Sequence, residues 1–313
     1  MRRILSSLTA TLLFAGALQA QQRVVEQYDW SDHEGRLMGY YSAAIAFSPV
    51  GVAPGGPAWS GAVGLELSYI PPLSRAQRTG GFQKTESTNL APVLPRPRAA
   101  LTLPGGATLE ASWVPPVKAF GVTANLVSAA LSVPVGELRG IAFTPRINGT
   151  TGRVTGPITC NEDVRDAEGG QDYYTYVCHN RDSEDRFEPR AIGLELLASR
   201  AARGRTVLPY LGLGVRTERN RFDVGVICNP PPGAVPAFYA NTSLYCNPAG
   251  RRDPYHPILE TSMTRGYGFA GATWLAPAGV GRTALSGELF YAPGSLLTGR
   301  VQASVRFRGA GAR

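Results

Sequence analysis

The chain has 313 residues, with 31 Lys and Arg against 23 Asp and Glu and a formal net charge of +8. The excess is spread over scattered arginines, with no basic run to grip a phosphate backbone, so no nucleic-acid partner is expected. The 37 Gly and 25 Pro argue against a helical protein, and after residue 20 no apolar run is long enough for a membrane-spanning helix.

The first element is a leader. Arg2 and Arg3 precede the uncharged apolar residues 4–18, and Ala20 precedes Gln21 and Gln22. That is the pattern of a secretory signal peptide (1–20) cleaved after Ala20. Residues 21–36 follow as an N-terminal periplasmic segment, in which 24–30 is a candidate strand.

From residue 37 the dominant signal is alternation with period two, which sends successive side chains to opposite sheet faces. Residues 37–49 form a weaker candidate. Val63, Leu65, Leu67 and Tyr69 alternate with Gly64, Glu66 and Ser68. Residues 97–103 lead through Pro104-Gly105-Gly106 into a run where Leu109, Ala111 and Trp113 alternate with Glu110 and Ser112. Pro115-Pro116 reads as a turn. In 118–133 the faces switch near Leu126-Val127, as at a bulge. Ile141, Phe143 and Ile147 alternate with Thr144 and Arg146, and Ile192, Leu194 and Leu196 with Gly193 and Glu195. Leu211, Leu213 and Val215 alternate with Gly212, Gly214 and Arg216; those glycines would let a neighbouring chain or plug approach. After 262–276 come Leu285, Leu289 and Tyr291 opposite Ser286 and Glu288. Last come Leu297, Val301, Val305 and Phe307 opposite Arg300, Gln302, Arg306 and Arg308.

This pattern predicts an all-β fold, an antiparallel transmembrane β-barrel over 37–308 with a tail at 309–313. A soluble β-sandwich would alternate too. Strands near the 9–11 residues of a tilted membrane strand, and aromatics near strand ends, favour the barrel. About twelve strands are expected, with ten as the alternative, because such barrels have even counts. Residues 71–96, 152–186 and 219–261 are long and polar, as extracellular loops are. Only a count that keeps 97–103 sends all three to one side.

Alternation turns Glu66, Glu110, Glu195, Glu288, Arg146, Arg216, Arg300 and Arg306 away from lipid and into the lumen, since a charge at the bilayer centre costs about 2–4 kcal/mol. If these charges neutralise one another the lumen is plugged and the barrel anchors its loops; if some stay unpaired they line a passage. Cys160, Cys178, Cys228 and Cys246 suggest disulfides in an exported protein. Three connectivities exist. Cys160–Cys178 and Cys228–Cys246 share one spacing and each brackets a loop-like segment. No metal site or cofactor is expected. His33, His179 and His256 fall outside the expected strands and offer no catalytic pair.

The chain resembles a Gram-negative outer-membrane β-barrel over 37–308. Its final strand, 298–307, is similar to the C-terminal signal of that family, alternating apolar residues closing on an aromatic, here Phe307, before Arg308-Gly309-Ala310-Gly311-Ala312-Arg313. The block from Lys84-Thr85-Glu86 through Pro95-Arg96-Pro97-Arg98 to Trp113-Val114-Pro115-Pro116 looks like a stretch of uncharacterised members. A remoter likeness is to hydrophobic-compound transporters. The resemblance implies outer-membrane lipid, lipopolysaccharide and the barrel assembly machinery as partners, and a Gram-negative outer membrane as the location. The expected function is passive transport or diffusion of a small solute. A structural barrel presenting disulfide-clamped loops and an outer-membrane hydrolase are the alternatives.

Overall fold

A computed structural model describes residues 22–53, 55–74, 77, 92–119, 121–166, 174–175, 178–200, 206–226, 255–276 and 282–307. The first described elements are strand β1 (Gln22–Tyr28) and helix α1 (His33–Ile45). The following strands are β2 (Gly61–Tyr69), β3 (Val93–Thr102), β4 (Thr108–Ala119), β5 (Val122–Ser132), the short β6 (Gly136–Leu138) and β7 (Ile141–Gly156). After the small helix α2 (Glu162–Asp166) come β8 (Asp185–Arg200), β9 (Val207–Asp223), β10 (Tyr255–Leu275), β11 (Arg282–Ala292) and β12 (Leu296–Phe307).

Ten of these strands close an antiparallel barrel. Each pairs with its chain neighbour, and β12 returns to β2 with Val301 opposite Leu67. The wall therefore has the alternative count of ten. Two further strands lie off it: β6 pairs with β7, and β1 pairs in parallel with the start of β10, Gln22 opposite Tyr255. Strand polarity puts the long connections 70–92, 157–184 and 224–254 at one end, and the turns at 103–107, 133–140 and 276–281 at the other.

Burial is inverted relative to a soluble protein. Outward side chains are large, apolar and exposed: Leu65, Trp113, Ile147, Ile192, Leu194, Leu213, Val215, Leu289 and Val301 are among them. Inward positions of the same strands are buried and largely polar. An apolar surface running round the whole wall has no stable place in water; against hydrocarbon it is the expected face of a membrane barrel. Aromatics stand outward toward the strand ends, with Tyr69 and Tyr291 at the long-loop end and Trp274 and Phe307 at the other.

Several local expectations need correction. Residues 37–49 are not a strand. Residues 37–45 are helical and buried on every side, and a segment apolar all round is at home in a helix enclosed by other structure. The segment 21–36 does not sit at the short-turn end: β1 lies beside the start of β10, at the long-loop end, and the wall begins only at Gly61. Pro115-Pro116 is no turn but a register shift between Val114 and Val117 inside β4, while β5 alternates unbroken through Leu126 and Val127. The prolines cannot donate to the ladder, so the strand bulges around them. Strands β8, β9 and β10 reach further into the long-loop side than expected, taking His256 into β10, and His33 opens α1. Residues 1–20 and 309–313 lie outside the described residues.

The outward band predicts depth-dependent costs. Leu213→Arg, in the middle of the band, is expected to lose about 2–4 kcal/mol in urea unfolding from lipid vesicles, and Val305→Arg, near the short-turn rim, about 0–1. Equal costs at the two positions would mean that this face does not meet hydrocarbon.

Candidate functional site

The lumen is occupied by the chain's own N-terminal segment. α1 fills the long-loop half, where the inner wall is apolar: Tyr41 packs edge-on to Phe187, itself beside Phe222, in one cluster with Leu37, Leu94, Leu259, Phe290 and Leu296. Below the helix, residues 46–53 run extended toward the short-turn end with no helix or strand pairing of their own. Their backbone groups are buried and need partners.

Wall side chains supply them. The Phe47 amide donates to Thr150 Oγ1 at 2.8 Å, the Gly51 amide to the Tyr210 hydroxyl at 3.1 Å and the Val52 amide to Thr273 Oγ1 at 3.2 Å. Arginines take the carbonyls. Arg96 donates to the Ile45 oxygen at 2.7 Å and Arg300 to that of Ser48 at 3.2 Å. Arg146 donates to Pro49 at 2.9 Å and to Gly51 at 2.5 Å. Higher up, Arg265 donates to the Gly39 carbonyl at 2.5 Å. Gly51 has φ +86°, and a Cβ there would lie 2.4 Å from Ser286 Oγ, so only glycine passes this point without displacement.

Each of these arginines also faces a wall carboxylate. Arg300 pairs with Glu288, Arg146 with Glu195 at 3.9 Å, Arg96 with Glu66 at 3.9 Å and Arg265 with Glu218 at 2.7 Å. Arg98 joins Glu66 and Glu110 at 3.0 and 2.6 Å and lies 4.9 Å from the centre of the Phe47 ring. Glu195 further accepts from Asn148 and Tyr267 at 2.8 and 2.7 Å. All eight residues read as lumen-facing lie on the inner face. Arg216 stands apart from the carboxylate pairs: its guanidinium stacks 4.5 Å from the Tyr267 ring centre and 5.7 Å from that of Phe290. Arg306 lies at the short-turn mouth, lining a cavity of about 20 Å³ with Val50, Val52 and Arg98, room for about one water.

Sequence reasoning missed Arg96, Arg98, Glu218 and Arg265. The first two were visible in Pro95-Arg96-Pro97-Arg98, where alternation puts both prolines out and both arginines in. Glu218 and Arg265 are harder, because Glu218 sits in a polar stretch that reads as loop. The inner glycines serve bulk from the next strand: a Cβ on Gly212 would lie 2.2 Å from the Phe269 ring, and one on Gly214 2.6 Å from Tyr267.

The long-loop rim is built as well. Cys160 and Cys178 form a disulfide; Cys228 and Cys246 lie outside the described residues. Buried Asp185 accepts from the Thr159 amide, from Ser183 at 2.6 Å and from the Gly225 amide at 2.6 Å, tying the connection after β7 to the one after β9. At the same rim burial raises the Tyr28 phenol pKa, and Glu26, which accepts its hydrogen bond at 2.7 Å, raises it further. Among the described residues no cluster of His, Cys, Asp and Glu could hold a metal.

No family model and no curated protein matches this chain. Among solved structures it is similar to the crystal structure of Pseudomonas aeruginosa OccK11 (OpdR), at 7% identity and a TM-score of 0.17, over 78% of this chain and 62% of that one. The chain thus spans under two thirds of that protein's length, and nothing about the bore is carried over from it. The geometry itself describes an outer-membrane-type β-barrel whose lumen holds its own chain.

Two outcomes follow. Arg300→Met and Glu288→Gln, each leaving one buried partner alone, are expected to cost about 3–5 kcal/mol in thermal or urea unfolding, and the double variant less than the sum. Parent-like stability in both single variants would contradict the pairing. Replacing Cys160 and Cys178 with Ser removes a constraint worth about 3 kcal/mol in the chain-entropy model. Cleavage by trypsin within 157–184 is expected to speed up while the heat-dependent gel mobility of the barrel persists.

Proposed function

We propose that this protein is a closed barrel of a Gram-negative outer membrane that anchors and presents its long-loop rim, and that it is not an open diffusion pore. The carrying observation is the threaded segment 45–53, hydrogen-bonded to three wall arginines and to wall hydroxyls where a solute would have to pass. A solute path requires that segment to leave. Its departure strips Arg96, Arg146 and Arg300 of carbonyl acceptors inside a low-dielectric bore, where unmet donors are costly.

With long loops outside, as in barrels of this type, β1 and the Cys160–Cys178 connection stand on the cell surface together. The rim then works as a binding surface for an external partner. We assign the protein no hydrolytic step.

Conductance tests this reading. The parent in planar bilayers is expected to show no steady current. Gly51→Val, which cannot fit beside Ser286 and Thr273, is expected to loosen the thread and give openings. An epitope placed before Gln22 is expected to be stained on intact cells, together with one placed in 157–184. A steady open current in the parent, or a tag reached only after permeabilisation, overturns the proposal.

A further inference from the structure

The outer face of β7, β8 and β9 carries charge that the lumen does not use. Just beyond the apolar band on the long-loop side, Arg190 and Arg219 stand directly opposite each other across β8 and β9, both exposed. Like charges directly opposed on one sheet face destabilise it unless something neutralises them. Acids do lie nearby, but arginines further from the band already hold them. Arg153 meets Glu188 at 3.6 Å, Arg186 also binds Glu188, and Arg221 meets Asp223 at 3.0 Å and Glu260 at 3.1 Å. Among the described residues neither Arg190 nor Arg219 makes a side-chain hydrogen bond or ion pair.

A concave surface adjoins Arg190. The shift at Pro115-Pro116 in β4 and Gly152 in β7, at φ +147°, leave a hollow of about 470 Å³. Thr123, Asn125 and Thr151 line it with hydroxyl and amide groups, and Arg153, Arg190 and Glu188 with charge. Glu188 is the one carboxylate there, and Arg153 and Arg186 engage it. One step inward along the same faces Ile192 stands opposite Thr217, followed by the exposed apolar pairs Leu194 with Val215 and Leu196 with Leu213.

We propose that Arg190 and Arg219, with the Thr151 hydroxyl, bind the phosphate of a membrane-lipid headgroup in the leaflet on the long-loop side. The acyl chains of that lipid lie on Ile192, Leu194 and Val215. Phosphate fits because guanidinium groups bind it bidentately. A lipid source fits because the pair adjoins the apolar band, where headgroups lie, rather than the outermost rim. This site is separate from the threaded lumen, so its failure leaves the closed-barrel reading untouched.

The test uses the full mature chain reconstituted in vesicles of phosphatidylcholine with increasing phosphatidylglycerol, then extracted and weighed with its retained lipid by native mass spectrometry. The parent is expected to retain phosphatidylglycerol over phosphatidylcholine. Each arginine near the surface contributes roughly fivefold, so Arg190→Gln with Arg219→Gln is expected to lower that preference at least tenfold. Arg190→Lys with Arg219→Lys is expected to keep part of it, and Arg139→Gln, in a short turn at the opposite end, all of it. Heat-dependent gel mobility establishes that each variant is folded, and the single Gln variants serve if the double is not. Equal retention of both lipids by the parent overturns the proposal, as does undiminished preference in folded Gln variants. Displacement of phosphatidylglycerol by millimolar inorganic phosphate alone would make this a free-anion site and overturn the lipid assignment.

Discussion

A backbone that crosses the bore of a barrel has neither helix nor sheet to satisfy it, and this constraint organises the lumen. Between Phe47 and Val52 each described backbone partner comes from the wall, and the carbonyls of Ile45, Ser48, Pro49 and Gly51 are met by arginine. A guanidinium has five donors in a planar fork, so one side chain can bind a carboxylate on one side and a carbonyl on the other. Arg96, Arg146 and Arg300 are used in that way. The wall glutamates therefore act indirectly: they balance the arginines' charge and aim them, and the arginines hold the thread.

The bore is divided by chemistry. Its long-loop half is apolar and takes a helix, which satisfies its own backbone and needs only packing. Its short-turn half is polar and takes extended chain, which needs donors and acceptors from outside. The change of secondary structure at Ala46 coincides with that change of lining, and the Ala46 amide still closes the helix on the Ser42 carbonyl. Arg216 marks the boundary, stacked on Tyr267 and Phe290 instead of facing an acid.

The outer face obeys the same electrostatics in reverse. Within the band, exposed side chains are apolar, because nothing in hydrocarbon can neutralise a charge. Where β7 to β10 extend past the band, arginines and acids appear on the outward positions and pair across strands or along one strand. The extension lets β10 carry β1 alongside its first residues while β11 joins it only further along, from Gly268. Residues 22–28 are thereby fixed to the rim through a parallel ladder, and α1 follows into the lumen.

Much of this was legible along single strands. Alternation assigns Glu66, Glu195 and Arg300 to one face and Leu67, Leu194 and Val301 to the other, because a pleated strand permits no other arrangement. The parity that sends three long connections to one end is also local arithmetic. What chain order alone left open is anything that depends on which strands become neighbours and on what fills the space they enclose. Residues 37–49 read as a weak strand, since Tyr41, Ala43, Ile45 and Phe47 do alternate with smaller groups, yet Phe187 and Phe222, remote in sequence, surround that stretch and make it a buried helix. The pairing of Arg98 with Glu66 and Glu110 follows from three adjacent strands, and that of Arg300 with Glu288 from the β11–β12 register. What fills the lumen was likewise undecidable from alternation, which orients a side chain without giving its height. Closure of the ten-stranded wall around the N-terminal segment decided it, because only there do the arginines and the thread's carbonyls come within hydrogen-bonding distance.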